Sequence, residues 1–169
     1  CVTRRQRQMC IRDRYKDKLN MLCETHKTRP ELLERARSIF TNLGMQLREI
    51  EPIAHDRHIA YVSHLSHITS FMLGKTVMEK EEDEQNIFDM AGSGFSSTVR
   101  LAKSSPEMWM PIFKHNKQNV IETLDEYISN MEYFKSLLVN DDYTTLVEEM
   151  KKINTITHIL KPEIKTNGK

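Results

Sequence analysis

A chain of 169 residues with 38% hydrophobic and 29% charged side chains is too apolar for a disordered protein and fits one domain, or one domain and a piece of another. Only 5 Gly and 5 Pro favour long helices over a strand-and-turn architecture. No apolar run reaches the roughly 18 residues a membrane helix needs, so no membrane partner is expected. The net charge of +1 is unevenly placed: Arg4, Arg5, Arg7, Arg12 and Arg14 stand against Asp13 alone. That local balance of +4 leaves about −3 for the rest of the chain, and no nucleic-acid patch is expected on the folded part.

Residues 1–14, CVTRRQRQMCIRDR, have no apolar stretch of the kind a signal peptide requires. The string reads as translated sequencing-adaptor read-through, a non-native or disordered basic segment. A basic arm for nucleic acid or anionic lipid, or a plain disordered tail, are the alternatives. On the first reading the native start lies upstream and the chain is a fragment. Cys1, Cys10 and Cys23 are odd in number and lack CxxC spacing, which fits neither a disulfide framework nor a zinc site. A reducing, cytoplasmic setting follows.

In chain order, Pro30 opens a short helix over 30–43 with an apolar stripe from Leu32 to Leu43. Gly44 takes its C-cap. Residues 45–50 read as an isolated strand stopped by Pro52. A lone helix and strand cannot bury a sheet face, so residues 15–51 read as the end of an α/β domain whose other part is missing. Helical periodicity runs over 55–80, with Tyr61, Leu65, Ile68 and Met72 as its core stripe. Glu79–Glu84 is expected as a solvated turn, 86–91 as a short helical piece broken at Gly92-Ser93-Gly94, and Ser97–Lys103 as a second short helix. Ser105-Pro106-Glu107 is a strong helix start. From it one helix is expected to run to about Leu138, with Val120, Leu124, Tyr127, Met131, Phe134 and Leu138 forming a heptad-like seam. A last helix spans 142–160 and stops at Pro162. A polar tail follows over 163–169.

Two stretches could carry chemistry. On a regular helix Asp56, Ser63, His67 and Ser70 fall within about 60° of one another, a face of short polar side chains opposite the core stripe. Such a face suits a ligand-lined wall, or a helix contact made of small residues. His64 and His67 lack HExxH spacing and no cysteine joins them, so no metal is expected. The second stretch is GSGFSSTVRLAKSSPEMW over 92–109. Its GxG follows no predicted strand, so a dinucleotide cradle is not expected. Arg100, between two breakers, is placed to pair bidentately with a carboxylate or to lie on the surface. Trp109, the single tryptophan, reads as packing.

Taken together, His55-Asp56, SHLSH at 63–67, GSGF at 92–95, Arg100 and PEMW at 106–109 resemble the C-terminal domain of the prephenate dehydrogenase family. The resemblance covers about residues 30–160, and 30–50 look like the last helix and strand of that family's Rossmann domain. It implies an all-α fold: a helical-bundle dimerisation domain on long helices, preceded by a helix–strand remnant of an α/β domain. It implies a homodimer through those helices, with 52–162 as the dimerisation and substrate-wall domain. The family oxidatively decarboxylates prephenate to 4-hydroxyphenylpyruvate with NAD in tyrosine biosynthesis. Some members use arogenate or NADP. The family's catalytic histidine and dinucleotide loop belong to the N-terminal domain, so no catalytic or cofactor-binding residue is expected here and the chain alone should be inactive. Substrate-binding residues implied by the match are Arg100 for a carboxylate, Ser63 and His67 in the wall, and Trp109 beside it. Ser66 replaces the motif's usual proline, Ser93 a glycine, and Ser97 a common aspartate. The alternatives are an arogenate dehydrogenase fragment and a non-catalytic helical dimerisation module.

Overall fold

The computed structural model describes residues 13–160. The basic segment up to residue 12, the stop at Pro162 and the polar tail lie outside the described residues. Two compact units result, one ending at Val120 and one beginning at Ile121.

The first unit opens with β1 (Leu19–Leu22), α1 (Pro30–Asn42) and β2 (Gln46–Glu49). Pro30 occupies the first turn of α1, where its missing N–H costs nothing. Gly44 ends that helix at φ +78°, a left-handed conformation that favours glycine. The strand expected over 45–50 is present but not isolated. β2 pairs in parallel with β1, Leu19 opposite Gln46 and Leu22 opposite Glu49. Periodicity does not reveal β1 because LNML, between Lys18 and Cys23, is four residues long, too short for a period to register. Residues 19–49 therefore form a parallel β-α-β element, with Leu19 still 49% exposed.

Next comes one helical run in three parts: α2 (Pro52–Ile59), a π-turn (Ala60–His64) and α3 (Leu65–Glu84). In the π-turn the Leu65 N–H reaches the Ala60 carbonyl, five residues back. Such a turn acts as a one-residue insertion and rotates the phase of the helix. The expected core stripe is displaced accordingly. Tyr61 and Met72 are exposed, while Ala60, His64 and Ser70 are buried. The expected turn at Glu79–Glu84 is also helical. Lysine–glutamate pairs four apart, Lys75 with Glu79 and Lys80 with Glu84, support it. The turn comes afterwards, where Glu81 accepts from the Asn86 and Phe88 amides at 2.9 and 3.1 Å.

A 3-10 turn at Phe88–Met90 precedes α4 (Ser93–Thr98) and a second 3-10 turn over Val99–Lys103. Gly92 caps α4 rather than breaking a helix after it. α5 (Pro106–His115) starts as its sequence dictates, with the Ser105 hydroxyl accepting from the Met108 amide. The long helix expected from 105 to 138 is interrupted at Asn116 (φ −105°, ψ 26°). α6 (Lys117–Val139) resumes immediately.

The second unit holds the rest of α6, then α7 (Tyr143–Asn154) and α8 (Ile156–Ile159). Asp142 caps α7 by accepting from Thr145 N–H. Leu137 and Leu146 are buried in it. No helix of the described residues is long and apolar enough to cross a membrane.

Candidate functional site

The site is built on α3 and α5. His67 lies half-buried one turn after the π-turn, and its Nδ1 stands 2.9 Å from the Ser63 carbonyl. A carbonyl can only accept, so Nδ1 carries the proton and Nε2 is left for another partner. The imidazole stacks on the Trp109 indole with ring centroids 3.7 Å apart and planes 33° from parallel. Trp109 is 7% exposed. It also packs on Phe113 at 5.3 Å and meets the edge of His64 at 5.9 Å. With Ile68 and Phe71 these two aromatics bound an apolar hollow of ≈ 310 Å³. The Trp109 Nε1–H is buried without an acceptor.

Behind this stack sits a buried polar network that explains the interruption at Asn116. The Asn116 Nδ2 donates to the Asp56 carbonyl at 2.7 Å and lies 3.3 Å from His64 Nδ1. Its Oδ1 accepts from Asn119 at 2.6 Å. The Asp56 carbonyl fixes which end of the amide faces inward, so His64 Nδ1 is the acceptor and its proton sits on Nε2. Asparagine leaves the helix here because its side chain satisfies groups on another helix. Neither His64 nor Asn116 was singled out in this role from sequence. The signal in the sequence is an asparagine, a poor helix former, at position 116 inside the helical pattern.

Burial pushes the His64 imidazole below its ordinary value; Asp56 pulls it back up, and His67 and His55 reinforce the depression. Protonation at Nδ1 would also set two donors face to face. Between the ordinary value of about 6.5 and the lowered folded value, the unfolded chain holds a proton the folded chain does not. The contribution is fully present above that window and is lost as pH falls through it. The thermal midpoint is therefore expected to drop between pH 7.5 and pH 5, with a shallower drop in His64→Gln, which keeps Asp56, His55 and His67. Equal slopes for the two proteins would rule out this account of His64.

Of the residues named from sequence, Ser63, His67 and Trp109 are brought together. Asp56 is not on their face: the π-turn lies between them and its side chain is exposed beside His55. Ser70 shares the His67 side of α3, three residues on, but it is 2% exposed and bonded to Thr98 and Ala102. Arg100 lies on the 3-10 turn that these bonds hold against α3. It is exposed, and no acid among the described residues pairs with it. Among the described residues no three His, Cys, Asp or Glu side chains are grouped to hold a metal ion.

A helical domain joined to a parallel β-α-β piece of an α/β domain is thus the class this fold defines. Residues 51–152 match the prephenate dehydrogenase dimerisation domain, and the chain belongs to that family. It is 26% identical over 131 residues to the prephenate dehydrogenase of Bacillus subtilis, covering 78% of this chain and 35% of that protein. The Aquifex aeolicus prephenate dehydrogenase, solved with hydroxyphenyl propionate and NAD+, superposes with a TM-score of 0.80 at 30% identity, over 87% of this chain and 51% of that one. The Synechocystis arogenate dehydrogenase shares the fold, with a TM-score of 0.71 at 23% identity, over 85% of this chain and 52% of that one. The chain thus spans between about a third and a half of these relatives.

The connection between the two strands does not fit the phosphate cradle of a dinucleotide site. The connection from β1 to α1, residues 23–29, contains no glycine and includes Glu24. A phosphate cradle needs close backbone approach at that point.

Proposed function

We propose that this chain is the C-terminal part of a prephenate dehydrogenase, supplying its homodimer interface and one wall of its substrate pocket. NAD or NADP would bind the N-terminal domain. The observation that carries the reading is His67, bonded to the Ser63 carbonyl and stacked on Trp109, on the helix whose Ser70 also holds the turn of Arg100, an arginine that no acid among the described residues neutralises. Prephenate is a dianion, so its pocket needs a fixed cation with open donors. Arg100 offers a planar pair of N–H groups to one carboxylate. His67, with Nδ1 committed to Ser63, presents Nε2 to a substrate hydroxyl. Trp109 fixes the plane of that imidazole. The exposed thiol of Cys23 suits the reducing cytoplasm, where we place the enzyme. The test is nicotinamide reduction by the complete protein, with prephenate and arogenate as rival substrates and this chain alone as control. Turnover of prephenate with a silent control is expected. Turnover of arogenate alone, or of neither, would refute the reading.

The homodimer has its own support. On α6 the far end of the seam is open: Met131, Phe134 and Leu138 are 52%, 42% and 43% exposed. On α7 Val147, Met150 and Ile153 are exposed as well. Apolar surface of this extent on neighbouring helices marks an interface, and a second copy closes it symmetrically. Sedimentation at micromolar concentration is expected to give a dimer, and Met131→Glu with Phe134→Glu a monomer. A folded monomer before any substitution would contradict the interface.

A further inference from the structure

The most unusual hydrogen bonding in the first unit is made by Ser70. Its hydroxyl donates to the Thr98 carbonyl at 3.0 Å and accepts from the Ala102 amide at 3.0 Å. Thr98 and Ala102 are four residues apart, so these are the two groups that an α-helix would join directly. The serine oxygen stands between them and satisfies both. A side chain inserted into the helical ladder opens it. The opened segment is the 3-10 turn Val99–Lys103, and Arg100 is its second residue. A 3-10 turn advances about 20° more per residue than an α-helix and rises further. Two residues past Thr98, the arginine therefore leaves the backbone about 40° from where a closed helix would send it. Ser70 is on the same helix as His67, one turn on. One element thus carries both the stacked imidazole and the clasp that aims the arginine.

We propose that Ser70 is a positioning residue: its hydroxyl, wedged between Thr98 and Ala102, holds the turn open and sets the direction of Arg100. Its consequence for substrate binding rests on the reading of Arg100 given above, whereas its geometric role does not. The experiment has two arms. In this chain, backbone chemical shifts of residues 99–103 are compared between wild type, Ser70→Ala and Ser70→Thr. Alanine should move them toward α-helical values as Thr98 and Ala102 bond directly, and threonine, which keeps the hydroxyl, should restore them. Ser70→Cys, close in size but a weak donor, replaces alanine if that variant does not fold. In the complete dehydrogenase, Ser70→Ala should raise KM for prephenate about tenfold, by misplacement alone, with kcat within about twofold. In an Arg100→Ala background it should add nothing, because the two residues act in series. Unchanged shifts at 99–103 in Ser70→Ala would overturn the proposal. So would an equal rise of KM in both backgrounds. If Arg100→Ala itself leaves KM unchanged, the carboxylate reading fails, and the shifts alone still decide whether Ser70 sets the turn.

Discussion

Trp109→Ala is expected to cost this chain about 3–5 kcal/mol of unfolding free energy, the range for deleting a large buried aromatic. The residue joins α5 to α3 through its stack on His67 and to the π-turn through the edge of His64, and packs on Phe113 of its own helix. Its removal would merge its own volume with the hollow already lined by Ile68, Phe71 and Phe113, and rigid helices on both sides limit collapse. Trp109→Phe should lose far less, about 0–2 kcal/mol, because two effects oppose. A smaller ring leaves a gap. However, the substitution also removes the buried Nε1–H that finds no acceptor, whose desolvation costs about 1–3 kcal/mol. Chemical denaturation of the three proteins measures both differences. An alanine variant within about 1 kcal/mol of wild type would show that the stack does not hold the two helices together.

How much of this was legible in the sequence differs by element. Helix ends written in local chemistry were readable: Pro30 and Gly44 bound α1, and Ser105-Pro106-Glu107 start α5. Periodicity located the helical run before and after residue 60, but a 3.6-residue template cannot register the extra residue of a π-turn. For that reason the period points the stripe through Tyr61 and Met72 inward, whereas Ala60, His64 and Ser70 are the buried positions. The interruption at Asn116 depends on the Asp56 carbonyl, sixty residues away, which no local window contains. Ser70 was readable as a small polar residue on the His67 face. Its partners, Thr98 and Ala102, lie twenty-eight and thirty-two residues on, so a ligand wall and an internal clasp look alike in one dimension. The SHLSH, Arg100 and PEMW set was recognisable as a pattern. That His67 lies on Trp109 required the packing of α3 against α5.

The central claim concerns Arg100. The side chain sits exposed on a turn held open by Ser70, with no acid among the described residues beside it. An arginine kept only for surface charge gains little from such a support, since exposed ion pairs contribute about 0–1 kcal/mol. An arginine that must meet a substrate carboxylate end-on gains much, because bidentate geometry tolerates little rotation. Losing one charge-assisted pair in a closed pocket costs about 2–4 kcal/mol, and the interaction exists in the ground state as well as the transition state. The loss should therefore fall mainly on KM, with nicotinamide binding nearly unchanged. The measurement is steady-state kinetics of Arg100→Ala in the complete dehydrogenase. A rise in KM for prephenate of about 30- to 800-fold, with the KM for the nicotinamide cofactor within about twofold, is the predicted result. An unchanged KM for prephenate would contradict it.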